Sequence, residues 1–213
     1  MTRTQTYMTL FPQVRRAVTA LAIVAAAALA APALSHASTI FGAPLTTDVQ
    51  PSNAGTAHPC QPDPSQTCSW VMTDPYGPGQ PHVLKAPKSG YIHKLKLIAG
   101  SAGSFRLQIV RINLAQNRAD SKVKLVRNGP AINYQGQQQS NWDSDVYNLE
   151  SFKVNVKVSK GDSLAIRAKQ TSMLRCSSGG PNILFFQPSL SLGNPFKTAT
   201  ANDGCWLLLE AVM

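Results

Sequence analysis

The fold class is predicted from one stretch, Phe152 to Ala168, which reads FKVNVKVSKGDSLAIRA. Its first half alternates apolar residues with lysine and asparagine, the period-two pattern of a strand that is buried on one face. Gly161 and Asp162 interrupt this alternation, and Leu164 and Ile166 resume it. We therefore predict a β-hairpin with one apolar and one basic face, whose apolar side the other strands must cover.

Short segments of the same kind recur along the chain, separated by glycine, proline, asparagine and aspartate. With the two strands of this hairpin included, the predicted strands span residues 68–72, 82–85, 91–98, 104–112, 122–127, 146–158, 163–168, 183–187 and 205–212. Residues 128–130 are predicted to end one strand, and residues 131–145 to form a polar loop. No convincing helix follows residue 37. The pattern predicts an all-β fold, an antiparallel and jelly-roll-like β-sandwich of about 8–10 strands.

The N-terminal segment has the features of an export signal. Arg15 and Arg16 precede an alanine-rich apolar run, residues 17–31, and the small residues that signal peptidase reads follow at 35–37. We expect residues 1–37 to be a signal peptide cleaved after Ala37, with cleavage after Ala33 as the alternative. The apolar run is too short for a good membrane span, and we see no lipid or wall anchor. We therefore expect a secreted protein.

Composition divides the expected mature chain in two and makes it basic. Residues 38–67 are rich in proline and read as a linker or N-terminal arm, and residues 68–213 as the β-sandwich domain. The signal peptide removes three of 20 basic residues, which leaves 17 against 10 acidic ones, a net charge of +7. Such a charge favours an anionic partner such as an acidic polysaccharide, a cell-envelope polymer or a membrane surface. Ordinary solvated lysines are the alternative, and the basic strands lack the interleaved aromatics of specific nucleic-acid binding.

Four cysteines lie in the expected mature chain. An even number in an exported protein predicts two disulfides. Of the three possible pairings we favour Cys60–Cys68, which closes a short proline-rich loop, together with Cys176–Cys205, which ties a late loop to the last strand.

A polar loop offers the best candidate binding residues. Its amide side chains can donate to and accept from sugar hydroxyls, and its two aromatic rings offer flat faces for stacking. The candidate carbohydrate contacts are Tyr134, Gln137, Gln139, Asn141, Trp142 and Asp143. Asp143 and Asp145 are weak Ca²⁺ candidates, because this ion prefers oxygen ligands. We otherwise expect no cofactor. The alternative is an ordinary loop with one aromatic ring packed on the core.

One motif is typical of an enzyme but lacks its partner. Gly161-Asp162-Ser163-Leu164 resembles the nucleophile block of the GDSL esterases and lipases, in which a histidine near the C-terminus serves as the base. The last histidine of this chain is His93, so Ser163 has no downstream base to activate it. We predict no catalytic residue and expect a non-enzyme.

Two features carry a resemblance at the level of the fold. The run Ala86-Pro87-Lys88-Ser89-Gly90-Tyr91-Ile92, and the pattern Val-x-Lys-Gly-Asp-x-Leu from Val158 to Leu164, are similar to secreted bacterial jelly-roll domains of the carbohydrate-binding-module type. The resemblance spans residues 68–213 and implies a fold without ligand residues. We therefore expect a secreted, non-catalytic protein that binds extracellular carbohydrate or an anionic cell-surface polymer. The alternatives are a structural or protein-interaction sandwich and, third, an extracellular hydrolase.

Overall fold

The computed structural model of the protein describes residues 38–45, 57–74, 83–136, 149–176 and 181–213. The predicted signal peptide, residues 1–37, lies outside these ranges. Within them the regular structure consists of β-strands and one 3-10 turn, Arg118–Asp120. The strands are β1 (Ile40–Gly42), β2 (His58–Pro59), β3 (Cys68–Met72), β4 (Gly90–Leu97), β5 (Gly103–Asn113), β6 (Lys122–Tyr134), β7 (Glu150–Val158), β8 (Asp162–Ala168), β9 (Gln170–Thr171), β10 (Leu174–Cys176), β11 (Ile183–Phe186), β12 (Lys197–Thr198), β13 (Ala201–Asp203), β14 (Cys205–Leu207) and β15 (Leu209–Val212).

The described strands form two principal sheets. One has seven strands in the order β12-β6-β5-β8-β3-β11-β13, and the other has four in the order β1-β15-β4-β7. Two short ribbons, β10-β14 and β2-β9, accompany them. The strand pairs are antiparallel throughout the described part of the chain. The predicted all-β, antiparallel fold is confirmed, and the arrangement is compatible with a jelly roll.

The main core lies between the two sheets. Alternate residues of the seven-stranded sheet face inward, among them Trp70, Leu107 and Ile166, and they share one apolar cluster with Leu95 and Leu209 of the four-stranded sheet. Fully burying a side chain of this size contributes about 1.5–3 kcal/mol. Alternation within each strand therefore produces the sandwich, as the sequence pattern predicted.

The outer face of the seven-stranded sheet is divided into two halves. One half is apolar and forms a second cluster, in which Val110 and Phe186 pack beneath Leu190 of the segment that precedes β12. The other half carries exposed polar and basic side chains, including Arg106 and Arg167. Gln108 lies fully buried at the boundary. Its amide joins the two halves, since it accepts from the Ser69 hydroxyl at 2.6 Å and donates to the Leu190 carbonyl at 3.3 Å.

The predicted hairpin at residues 152–168 is wrong. Strand β7 pairs with β4 in the four-stranded sheet, whereas β8 lies between β5 and β3 in the seven-stranded sheet. The turn at Gly161, whose φ is +88°, thus carries the chain from one sheet to the other. Period-two alternation reports which face of a strand is buried and says nothing of its neighbour, so the same pattern fits a hairpin or a corner between layers.

Three other predicted boundaries are also corrected. Strand β6 continues through Asn128, Gly129 and Pro130 to Tyr134, because its pairing with β5 shifts at two irregularities instead of ending. The predicted strand at 82–85 is reduced, among described residues, to one bridge between Lys85 and Ser163. The predicted strand 205–212 is interrupted at Leu208, so that β14 pairs with β10 and β15 pairs with β4.

The stretch 38–67, which we predicted to be a linker or arm, contributes paired strands where it is described. Strand β1 pairs with β15, and β2 pairs with β9. Residues Ser38–Met213 form one compact unit. The apolar side of β1, at Phe41, is buried in the main core, which is the physical reason for its docking.

Both predicted disulfides are confirmed. Cys60 is bonded to Cys68, and Cys176 to Cys205. The second bond links residues that lie directly opposite each other on β10 and β14.

Candidate functional site

Most of the predicted carbohydrate contacts cannot be placed. Gln137, Gln139, Asn141, Trp142 and Asp143, as well as the Ca²⁺ candidate Asp145, lie outside the described residues.

Tyr134, the sixth predicted contact, is part of the core. It ends β6 and is only 3% exposed, with its ring centroid 6.1 Å from that of Phe105. Its hydroxyl lies so close to Gly103 that a Cβ at this glycine would collide with it. Tyr134 therefore offers no open ring face on which a sugar could stack.

The described residues on the two sides of the segment 137–148 are joined by one carboxylate. Glu150, the first residue of β7, accepts hydrogen bonds from the backbone N–H groups of Gln135 at 3.0 Å and Gly136 at 2.7 Å. These residues flank the segment 137–148.

An exposed aromatic ring occupies a groove formed by β4, β6 and β7. The Tyr91 groove has a volume of about 380 Å³ and is lined by Tyr91, Arg127, Asn128, Gly129, Pro130, Asn155, Val156 and Lys157. Tyr91 is 46% exposed, and its ring lies nearly parallel to that of His93, with centroids 6.5 Å apart. The exposed tyrosine ring thus lines the groove with a flat face, and His93 lies outside the groove's lining.

The polar groups around this ring suit a hydroxylated, negatively charged ligand. Lys157 lies directly opposite Tyr91 in the β4–β7 register, and Arg127 supplies a second cation. The side-chain Oδ1 of Asn128 accepts a hydrogen bond from the Gln108 amide at 3.3 Å, which orients the Asn128 side chain. None of the described lining residues is acidic. Stacking, amide hydrogen bonding and charge attraction are therefore available in one place.

A second groove lies on the open half of the seven-stranded sheet. The arginine groove has a volume of about 330 Å³ and is lined by Thr67, Ser104, Phe105, Arg106, Ala131, Asn133, Arg167, Ala168 and Lys169. Arg106 and Arg167 are direct cross-strand partners on β5 and β8. Like charges placed opposite each other are destabilising in a sheet. A bound anion would relieve this repulsion.

The arginine groove continues toward the predicted loop. Ser104, Asn133 and Lys169 also line an adjoining depression of about 580 Å³ that includes Gln135. One acidic residue, Asp63, interacts with Lys169. Hydrogen bonds from Ser65, of which the side-chain bond is the largest cause, lower the pKa of Asp63, so its carboxylate remains charged in mildly acidic solution.

The two grooves meet at β6. The Arg106 guanidinium donates to the carbonyl oxygen of Gly129 at 3.3 Å, and Gly129 lines the Tyr91 groove. Neither groove was predicted from the sequence. The period-two pattern does indicate that Tyr91 and His93 are exposed on β4, and Ser104 and Arg106 on β5. It does not indicate which strands pair or in which register, and the grooves depend on that pairing.

The serine of the GDSL-like motif lies in the interior. Ser163 is fully buried, and its hydroxyl has no hydrogen-bond partner among the described residues. The preceding Asp162 is also buried, and its carboxylate accepts from Arg111 at 2.7 Å and from the Ser159 backbone at 2.8 Å. In this arrangement, Asp162 holds the corner between the sheets and Ser163 is inaccessible to a substrate.

We predict that Ser163→Ala changes the free energy of unfolding by less than about 1 kcal/mol, because a buried hydroxyl without a partner contributes no hydrogen bond to lose. Ser69→Ala is the matched control. Ser69 is equally buried, but its hydroxyl donates to Gln108 and accepts from the Leu190 N–H, so its loss should cost about 1–3 kcal/mol. Denaturant unfolding measures both. Equal losses would contradict the assignment of Ser163 as unbonded.

One cluster of three potential metal ligands includes a cysteine that is already bonded in a disulfide. His58 Nε2 lies 3.2 Å from Asp203 Oδ2, and the ligand atoms of these two residues and of Cys205 all lie within 4.8 Å of one another. Cys205 is bonded to Cys176 and has no thiolate to offer. The His58 ring packs instead against Phe185, with centroids 6.3 Å apart.

No match to this chain is found among protein-family models, curated proteins or solved structures. In the part of the chain that the structure describes, no helix has the length and apolar character needed to cross a membrane.

Proposed function

We propose that this protein is a secreted, non-catalytic β-sandwich that binds an acidic carbohydrate polymer of the cell exterior. The observation that carries the proposal is the Tyr91 groove, whose lining combines an exposed ring with the amides Asn128 and Asn155 and with two cations. A sugar ring can stack on the tyrosine face while its hydroxyls bond to the amides. Arg127 and Lys157 supply the preference for a negatively charged sugar.

The arginine groove supports the anionic character of the ligand. Arg106, Arg167 and Lys169 converge on one side of β6, and the bond from Arg106 to Gly129 brings this surface next to the Tyr91 groove. A polymer that crosses β6 would contact both grooves. Binding at two linked places strengthens attachment when the ligand is long enough to reach both, so we expect longer oligosaccharides to bind more tightly than short ones.

Binding to polygalacturonate, measured by calorimetry against a neutral β-glucan, tests the proposal. We expect Tyr91→Ala to weaken binding about five-fold to ten-fold through the loss of stacking. Arg106→Gln combined with Arg167→Gln should weaken it at least ten-fold, given about 1.5–3 kcal/mol for each charge-assisted hydrogen bond. Leu149→Ala, which removes an equally exposed apolar side chain outside both grooves, is the matched control and should have no effect.

Three outcomes distinguish the alternatives. Absence of binding to either polymer would favour a structural or protein-interaction role. Binding to polygalacturonate that is unaffected by the groove variants but lost in Trp142→Ala would place the site on the predicted loop. Release of reducing sugars during the assay would contradict the non-catalytic part of the proposal.

Secretion itself is tested by N-terminal sequencing of the exported protein, for which we expect Ser38 as the first residue.

A further inference from the structure

The segment between the second apolar cluster and β12 exposes two large apolar side chains. Leu192 is 55% exposed and Phe196 is 41% exposed. Both line one depression of about 360 Å³, together with Val126 and Lys124 of β6. An exposed leucine or phenylalanine standing alone is ordinary. Here the two share a surface, which we name the Leu192 patch.

The Leu192 patch is held at both ends by the fold. On one side Leu190 is buried in the second apolar cluster, and its N–H donates to the Ser69 hydroxyl at 2.9 Å. On the other side Lys197 and Thr198 pair with β6. The intervening residues are thus fixed at the sheet edge with their apolar side chains outside the core. Packing in the protein's own core therefore does not explain why these two exposed positions carry large apolar side chains.

Cationic side chains of β5 and β6, Arg111 and Lys124, line the same depression as this apolar surface. Lys122 and Lys124 lie two residues apart on β6 and therefore project from the same face of the strand. Lys124 is the cross-strand partner of Arg111, whose guanidinium already contacts Asp162. None of the described residues that line the depression is acidic. Exposed apolar side chains at a sheet edge, with lysines on the neighbouring strand, complement a surface that is anionic outside and apolar beneath.

We infer that the Leu192 patch docks the protein on an anionic lipid surface. Leu192 and Phe196 enter the boundary between headgroups and acyl chains, and Lys122 and Lys124 lie against the headgroup phosphates. This surface is separate from the Tyr91 and arginine grooves, with which it shares no lining residue. Lipid docking can therefore be tested independently of polymer binding.

Vesicle flotation tests this inference with the mature protein and with vesicles of phosphatidylcholine alone or mixed with phosphatidylglycerol. We expect binding only to the mixed vesicles. Leu192→Ser combined with Phe196→Ser should weaken it at least ten-fold. Lys122→Gln combined with Lys124→Gln should weaken it roughly 25-fold, since each lysine near such a surface strengthens binding about five-fold. Both pairs are exposed, so circular dichroism and the unfolding midpoint should stay unchanged.

A matched control separates docking from general charge attraction. Lys94→Gln combined with Lys153→Gln removes the same number of charges from exposed cross-strand partners on β4 and β7, which line none of the three depressions, and should leave vesicle binding nearly intact. An equal loss would show attraction by net charge alone and overturn the inference. It would also be overturned if the Leu192/Phe196 variant bound vesicles normally but sedimented as a smaller species than wild type, which would assign the patch to a second copy of the chain.

Discussion

Arg111→Ala is expected to lower the free energy of unfolding by about 3–5 kcal/mol, the cost of leaving a buried charge without its partner. Asp162 is 1% exposed at the corner between the two sheets, and Arg111 donates to it through Nε at 3.2 Å and Nη2 at 2.7 Å. Without Arg111, the described contacts of the Asp162 carboxylate reduce to the Ser159 N–H. Chemical denaturation at neutral pH measures the change.

Two variants make this prediction specific. Arg106→Ala removes a comparable arginine from the same strand, but the described hydrogen bond of its side chain goes to an exposed carbonyl, so its cost should stay below about 1 kcal/mol. Asp162→Asn in the Arg111→Ala background removes the unpaired charge and should recover part of the stability. If Arg111→Ala and Arg106→Ala cost the same, the corner is held by other contacts.

The faces of the strands could be predicted from the sequence because alternation is a local property. In β4 the apolar positions Leu95 and Leu97 are buried, while Lys94 and Lys96 are directed to the other side. The number of cysteines similarly restricted two disulfides to three possible pairings. These inferences needed no knowledge of which strands are neighbours.

The order of the strands could not be predicted in the same way. Strands β7 and β8 are adjacent in sequence and carry matching apolar patterns, yet they lie in different sheets. The difference depends on long-range contacts, such as the ion pair of Asp162 with Arg111, which no local pattern reveals. Strand β6 likewise passes through an Asn-Gly-Pro sequence that normally marks a turn, because β5 accommodates it with shifts in register.

The candidate sites show the same limit. Local composition drew attention to the loop that contains Trp142, where amides and aromatics are neighbours in the sequence. The arginine groove exists only because β5 and β8 pair with Arg106 opposite Arg167, and the Tyr91 groove because β4, β6 and β7 meet. Conversely, Tyr134 was predicted from the sequence to contact a sugar. In the structure it is the last buried position in the alternation of β6 and packs in the core.

Removing the Cys176–Cys205 bond by a double alanine substitution is expected to cost roughly 3–4 kcal/mol, and removing Cys60–Cys68 about 2.5 kcal/mol. The bonds close 29-residue and 8-residue separations, and in the chain-entropy model the longer loop restricts the unfolded chain more. Guanidinium unfolding of both variants and of the wild type measures the order. The reverse order would show that packing in the core, where Cys60 and Cys68 are both fully buried, outweighs loop entropy.

The same two variants should affect polymer binding in the opposite order. The Cys60–Cys68 bond encloses Asp63 and Thr67, of which Thr67 lines the arginine groove and Asp63 interacts with its Lys169. Opening this loop should therefore weaken binding to polygalacturonate several-fold, at a temperature where the variant remains folded. Cys176 and Cys205 line neither groove, so their variant should bind like the wild type. If binding is weakened more in the less stable variant, the binding defect reflects unfolding. If the Cys60–Cys68 variant is the more stable of the two but binds more weakly, the loop closed by this disulfide belongs to the binding surface.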